Sequence, residues 1–468
     1  MPFVTPSLHL PRPPPPLPLA APAEESPLPA IRRTAVRRTA VRRAAATAAA
    51  ATCAFALLGA APAGAAPAHR DGGQKELTGY FTQWGIYSGF MEKNLISTGE
   101  INHLTELDYG FSDVTAGGLC GSGDSWADYQ RPFSATESVD GQADQAGQAL
   151  LGNFNQLREL KAKYPKLKIV MSIGGWSWSG RFSQLAATAA GRQNFVASCV
   201  DQYLKGDLPG LPAGAAAGIF DGFAVDWEYP GEPGNGNPYG PQDTPDYTAL
   251  MQEFRQQETQ AGQADGTHYL LTANTSANPA YAAKLELGKV AKVVDWFNVM
   301  TFDYHGGWEA TGPTDLSSAL FQDPRDPNPA NDRYSVDQAV QYYEQQGVRP
   351  EQIGLAIPYY AHEWSGVAPG PNGDGLFQPA AAGVPGTPDY NQVVTAPGET
   401  YWDPLAAEPY KYDPAGGVFS TYDDPASVWI KGQYIRAKDL RGTFVWSMDG
   451  DTSDGSLTAA LGESLNGH

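Results

Sequence analysis

The chain is short of positive charge. Its 31 Lys and Arg face 51 Asp and Glu, a formal charge of −20, which excludes a protein that tracks nucleic-acid phosphates and points to a neutral or cationic substrate. Charged residues of either sign make up only 18% of 468, against 42% apolar, so neither a coiled coil nor a disordered chain fits. The seven His show no paired ligand spacing, and no metal is expected. There is no Gly-rich phosphate cradle, and no cofactor is expected either. Cysteine is scarce, three in all; Cys53 falls in the N-terminal segment, which leaves Cys120 and Cys199, whose spacing does not say whether they pair. Beyond the N-terminal segment no apolar run approaches membrane length, and no internal repeat is visible.

What is present begins with residues 1–68, which read as a leader rather than a fold. A Pro-rich stretch from Pro11 to Pro18 precedes the pairs Arg32/Arg33, Arg37/Arg38 and Arg42/Arg43, an Ala-dominated run from Ala44 to Ala61, and Ala-x-Ala sequences such as Ala66-Pro67-Ala68. Basic region, short apolar region and small-residue cleavage site, in that order, mark a secretory signal peptide. Export to the extracellular space is expected, with no membrane association after its removal.

Residues 74–468 carry strand-like runs alternating with helical ones. The strands read as Glu76–Phe81, Leu104–Phe111, Leu167–Met171, Gly218–Asp226, Tyr269–Ala273, Phe297–Asp303, Ile353–Tyr359 and Gly442–Met448. Helical spacing separates them, as in Leu151, Phe154, Leu157 and Leu160. This pattern predicts an α/β fold, a (β/α)8 barrel. Residues 366–424, rich in Gly, Pro, Tyr and Asp, are too irregular for one helix and read as an insertion on the barrel rim.

The chemistry concentrates where strands end. In Asp221-Gly222-Phe223-Ala224-Val225-Asp226-Trp227-Glu228, side chains alternate with period 2, so 224, 226 and 228 share a face. The Cα atoms of Asp226 and Glu228 are then roughly 6 to 7 Å apart, near enough for like-charge repulsion to raise one pKa and leave an acid able to protonate a leaving group. That is the arrangement glycosidic cleavage requires. An isolated Asp-x-Glu is more often merely solvated; burial among Phe223, Val225, Trp227 and Tyr229 weighs against that.

Three further segments end strands. Ser172-Ile173-Gly174-Gly175-Trp176 offers either a close backbone approach to a ligand or a turn. Met300-Thr301-Phe302-Asp303 ends another strand, with Asp303 a supporting acid or a helix cap. Trp446 in the last strand is core or cleft floor. Trp84, Trp176, Trp178 and Trp364, on loops at the C-terminal face, suit stacking on sugar rings.

Together these segments resemble glycoside hydrolase family 18 and its chitinases, over the chain from about Leu77 to Asp451. The matching parts are Asp221 to Glu228, Ser172 to Gly175, Met300 to Asp303, and Trp446. The resemblance implies a (β/α)8 barrel with a small α+β insertion, acting as a monomer on chitin or chitin oligosaccharides by substrate-assisted retention. It implies Glu228 as proton donor, Asp226 as the residue that steadies the sugar's acetamido group, Asp303 as its orienting partner, and Tyr80, Trp176, Tyr229, Met300, Phe302 and Trp446 as pocket lining. Asp221, Ser172, Gly174 and Gly175 support the motifs. The alternatives are a non-catalytic chitin-binding barrel and an endo-β-N-acetylglucosaminidase. Three positions depart from the family pattern: Ala224 stands where an Asp shares the central proton, Phe302 where a Tyr hydroxyl reaches the acetamido oxygen, and His362 where Arg is common. Losing one such hydrogen bond lowers a rate about a hundredfold or more, so a slow enzyme is expected, and Ala224→Asp is expected to speed it.

Overall fold

The computed structural model describes residues 73–467; the expected leader and Cys53 lie outside the described residues. Eight parallel strands form the barrel: β1 (Glu76–Thr82), β2 (Glu106–Val114), β4 (Lys168–Gly174), β5 (Gly222–Asp226), β6 (Leu270–Ser276), β7 (Trp296–Met300), β8 (Ile353–Pro358) and β14 (Gly442–Trp446). β1 pairs with both β14 and β2, which closes the sheet. The short β3 (Cys120–Ser122) adds antiparallel to β2. All eight strands expected from the sequence are present. The fourth starts at Gly222 rather than Gly218, because Asp221 turns its side chain to Lys161, 2.7 Å away, and to the Ile169 amide, 2.9 Å away.

Outward side chains pack under the surrounding helices. Phe223 meets Phe254 at 5.6 Å between centroids, and Trp227 stacks on Phe182 at 5.3 Å. Inward side chains fall into layers, four residues from alternate strands in each. The ladders shift by about one residue per strand as the strands tilt, and following the register around the barrel places Asp108, Ala224, Asn298 and Phe444 in one layer. Tyr80, Ser172, Asn274 and Ala356 lie above it, and Gly110, Asp226, Met300 and Trp446 above those. Side-chain bonds agree with this: the Tyr80 hydroxyl is 2.5 Å from Ser172 Oγ and accepts from Asn274 Nδ2 at 2.6 Å.

A second, five-stranded antiparallel sheet sits between β8 and β14, in the order β10 (Ala382–Gly383), β9 (His362–Ser365), β13 (Val418–Thr421), β12 (Glu408–Asp413) and β11 (Glu399–Asp403). Its first strand in the chain begins at His362, ahead of the expected Gly366. Its core holds Trp364, Tyr410, Tyr412 and Phe419, and borrows Leu316 and Ala319 from the loop after β7. Beneath it, the fully buried Lys431 ammonium bonds Asp423 at 2.7 Å and Ser318 Oγ at 2.9 Å. Cys120 and Cys199 are bridged, with Cα atoms 5.1 Å apart.

Candidate active site

Because Phe223, Val225 and Trp227 are drawn outward into the core, Ala224, Asp226 and Glu228 face inward. Asp226 is 5% and Glu228 8% exposed, both at the wall of a cleft of about 900 Å³. Ser179 holds their backbone: its hydroxyl accepts the Glu228 amide at 2.9 Å and lies 2.8 Å from the Gly175 carbonyl and 3.1 Å from that of Asp226. Gly174 (φ 104°) and Gly175 (φ 75°) bring β4 against this turn; a Cβ on Gly174 would lie 2.4 Å from the Asp226 carbonyl, and one on Gly175 2.9 Å from the Phe111 ring. The Gly-Gly pair therefore serves close packing of strand end on strand end.

Burial, and then the Asp226 charge and that of Asp303, push the Glu228 carboxyl well above the usual carboxylate range, with the Tyr229 hydroxyl working against them. Burial raises Asp226 to about 7, opposed by the Asn274 amide. Two carboxyls this close on one face, out of water, cannot both ionise readily. One stays protonated near neutral pH and can donate.

Asp303 follows β7 at φ 56°, a left-handed turn that Asp tolerates. Its Oδ1 accepts from the Tyr360 hydroxyl and meets His362 Nε2, each at 2.7 Å. The position that departs from the family pattern as His362 thus still faces an acid of the site. Phe302 lies against Tyr360 and Phe444, 5.9 and 6.2 Å away, and offers the cleft a ring without a hydroxyl.

The floor is aromatic. Trp446 meets Tyr80 at 5.0 Å and Phe111 at 5.6 Å, and Met300 packs with them. Trp84, Trp176 and Trp178 line the cleft with Tyr229. Trp364 does not: it is fully buried in the second sheet, its indole N–H given to the Glu309 carbonyl at 2.9 Å. Its alternation within β9 decides this, since residues 362 and 364 point into the sheet's packed face. Asp221 lies at the opposite end of β5 from the cleft, where it ties β4 to β5. The sequence reading missed Trp308, 57% exposed on the rim, and Tyr281, Asn274 and Tyr360. Trp308, just after Gly306-Gly307 beyond a strand end, carried the same signal that singled out Trp176.

His305, Asp315 and Asp326, all buried, have ligand atoms within 4.8 Å of one another, close enough to hold a metal. The imidazole already has Nδ1 3.1 Å from Glu309 and Nε2 3.6 Å from Asp315. Those carboxylates, led by Glu309, outweigh burial and raise it to about 9, and a protonated ring satisfies the cluster without an ion.

Residues 76–451 match the model of the glycosyl hydrolases family 18. The chain is 34% identical over 382 residues to chitinase C of Streptomyces lividans and 32% identical over 421 residues to chitinase A1 of Niallia circulans. These alignments take in 81% and 80% of this chain, but only 57% and 56% of the relatives' own length. The catalytic domain of a psychrophilic chitinase B from Arthrobacter TAD20 superposes with a TM-score of 0.80 at 36% identity, covering 84% of this chain and 96% of that one.

Proposed function

The chain belongs to the glycosyl hydrolases family 18, and from that premise we propose that it is a secreted chitinase cleaving β-1,4 links between N-acetylglucosamine units. The carrying observation is the pair Asp226 and Glu228, buried side by side on one strand face at the wall of an aromatic cleft. Apolar sugar faces stack on Trp446 and the rim indoles. Glu228, protonated near neutral pH, gives its proton to the glycosidic oxygen. The sugar's acetamido oxygen attacks the anomeric carbon, the bond to the leaving sugar breaks, and an oxazolinium ion forms; Asp226 holds the acetamido N–H and balances its charge. Glu228, now a carboxylate, takes a proton from water, which opens the ring with retention. Asp303, Tyr229 and Met300 bound the acetamido side of the cleft.

Two observations support export: the leader-like sequence of residues 1–68, and the bridge between Cys120 and Cys199, which an oxidising compartment favours. Among the described residues no helix is long and apolar enough to cross a membrane. We read the working species as a monomer, checked by its elution volume.

Incubation with N-acetylglucosamine oligomers, products read by mass and by early NMR spectra, tests the reading. Shortened oligomers whose new reducing end first appears as the β-anomer are expected. Binding without cleavage would make the barrel a lectin, which Ala224 and Phe302 are the grounds for weighing. An α-anomer appearing first would mean a water held between two separated carboxylates.

A further inference from the structure

Ala224 is fully buried and brings no carboxyl to the face that Asp226 shares with Glu228, two residues beyond the end of β5. Yet the layer that contains the Ala224 methyl also contains Asp108, directed inward from β2. Asp108 is completely buried, and the one side chain that its carboxyl bonds is the equally buried carboxyl of Glu106 beside it on β2. Oδ1 of Asp226, one even-strand layer higher, is buried without a hydrogen-bond partner. Between them lies the layer in which the Tyr80 hydroxyl meets Ser172 Oγ and accepts from Asn274, so Tyr80 has an acid beneath it and an acid above it. A buried carboxyl whose one partner is another acid costs several kcal/mol to ionise, and a barrel interior that needed only volume here would be filled by an apolar residue.

We propose that Asp108 is a positioning residue for Asp226: the second carboxyl of one interior charge, supplied from β2 in the layer where position 224 carries only a methyl. This rests on reading Asp226 and Glu228 as the reacting pair. When Asp226 ionises to face the substrate, Asp108 keeps its proton, and the dry interior carries one negative charge rather than two. Above neutrality the order of events matters. Burial first, and then the Asp226 charge, hold Asp108 at about 8, with Glu106 lowering it. Once Asp108 does ionise, its charge raises the hold of Asp226 and Glu228 on their protons, which keeps the donor loaded to higher pH. The titratable groups around Asp108 are Glu106 on its own strand, Asp226 on β5 and Tyr80 on β1, with Glu76 and Arg441 acting on Glu106. The repair expected from the sequence changes sign: Ala224→Asp adds a further carboxyl to an interior already holding Glu106, Asp108 and Asp226, and is expected to lower turnover.

The test is Asp108→Asn, which keeps shape and removes the charge. Because the native carboxyl holds its proton up to about 8, unlike an unfolded one, ionising it opposes folding as pH rises through that value. The variant therefore melts no lower than the parent at pH 8. Its kcat is expected to fall roughly tenfold at neutral pH with KM little changed, and the alkaline limb of its pH profile to move to lower pH. Asp108→Asn with Ala224→Asp returns a carboxyl to the layer and is expected to recover most of the loss. A folded Asp108→Asn with the parent's kcat and alkaline limb would overturn the proposal. Independently of turnover, carboxyl-carbon NMR of the unaltered chain should show the Asp108 and Asp226 signals each responding in two coupled steps. Two independent single titrations would overturn it, even if the parent cleaves oligomers; coupled steps in a parent that cleaves nothing would sink the chitinase reading alone.

Discussion

Replacing Glu228 by Gln removes one proton and leaves the amide within hydrogen-bond reach of the same neighbours. Turnover of an N-acetylglucosamine oligomer should fall by about a thousandfold or more, while oligomer affinity measured by calorimetry stays within severalfold; unchanged turnover would remove Glu228 from the chemistry. The pair also sets the pH response. With burial raising Asp226 to about 7 and holding Glu228 well above the usual carboxylate range, kcat/KM should rise as pH passes through about 7, where Asp226 loses its proton, and fall again on the alkaline side as Glu228 loses its own. A profile already flat below pH 5 would contradict the burial that produces both shifts. Asp226 and Glu228 were legible because a strand alternates with period 2, whatever surrounds it. Asp108 was not: its relation to Ala224 is set by barrel closure and strand tilt, which no local pattern encodes. Trp364 failed for a related reason, since a loop aromatic and an inward strand aromatic look alike until a second strand pairs beside it.

At the scale of elements, the eight barrel strands could be read from short apolar runs, whereas the second sheet could not. Its strands pair antiparallel across irregular connections, and its core is completed by Leu316 and Ala319 from a loop that precedes β8. One ionic knot fastens that loop, the sheet and the helix Pro425–Ala437. Lys431 and Asp423 are both fully buried and 2.7 Å apart, Ser318 bonds each of them, and Glu408 accepts the Ser318 amide. Removing one partner leaves a buried, uncompensated charge, so Lys431→Met should lower stability by about 3 to 5 kcal/mol, read from a denaturant midpoint. Since the second sheet also supplies His362 to Asp303, 2.7 Å away, the same variant should raise KM for long oligomers more than for short ones. A midpoint within experimental error of the parent would show that the knot does not hold the sheet in place.

For the molecule as a whole, the covalent tie is the bridge between Cys120 on β3 and Cys199 at the end of the helix Ala189–Cys199, a sequence separation of 79. It joins the edge strand added to β2 with the helix leading towards β5, the two strands that carry Asp108 and Asp226. Closing a loop of that length removes unfolded-chain entropy equivalent to about 4 to 5 kcal/mol in the chain-entropy model. At the usual unfolding entropy per residue, for a chain of this size, that corresponds to about 5 °C in melting temperature. Cys120→Ser with Cys199→Ser should show a drop of that order under oxidising conditions, and no difference from the parent once both are held in reductant. The cleft should be less affected than the stability. Its walls are barrel strand ends, and the bridge lies outside the layer of inward side chains, so kcat at 25 °C should stay within about twofold. Two free thiols found by labelling the parent after it is unfolded without reductant would mean that Cys120 and Cys199 are not paired in the folded protein, and would remove one of the two supports for export.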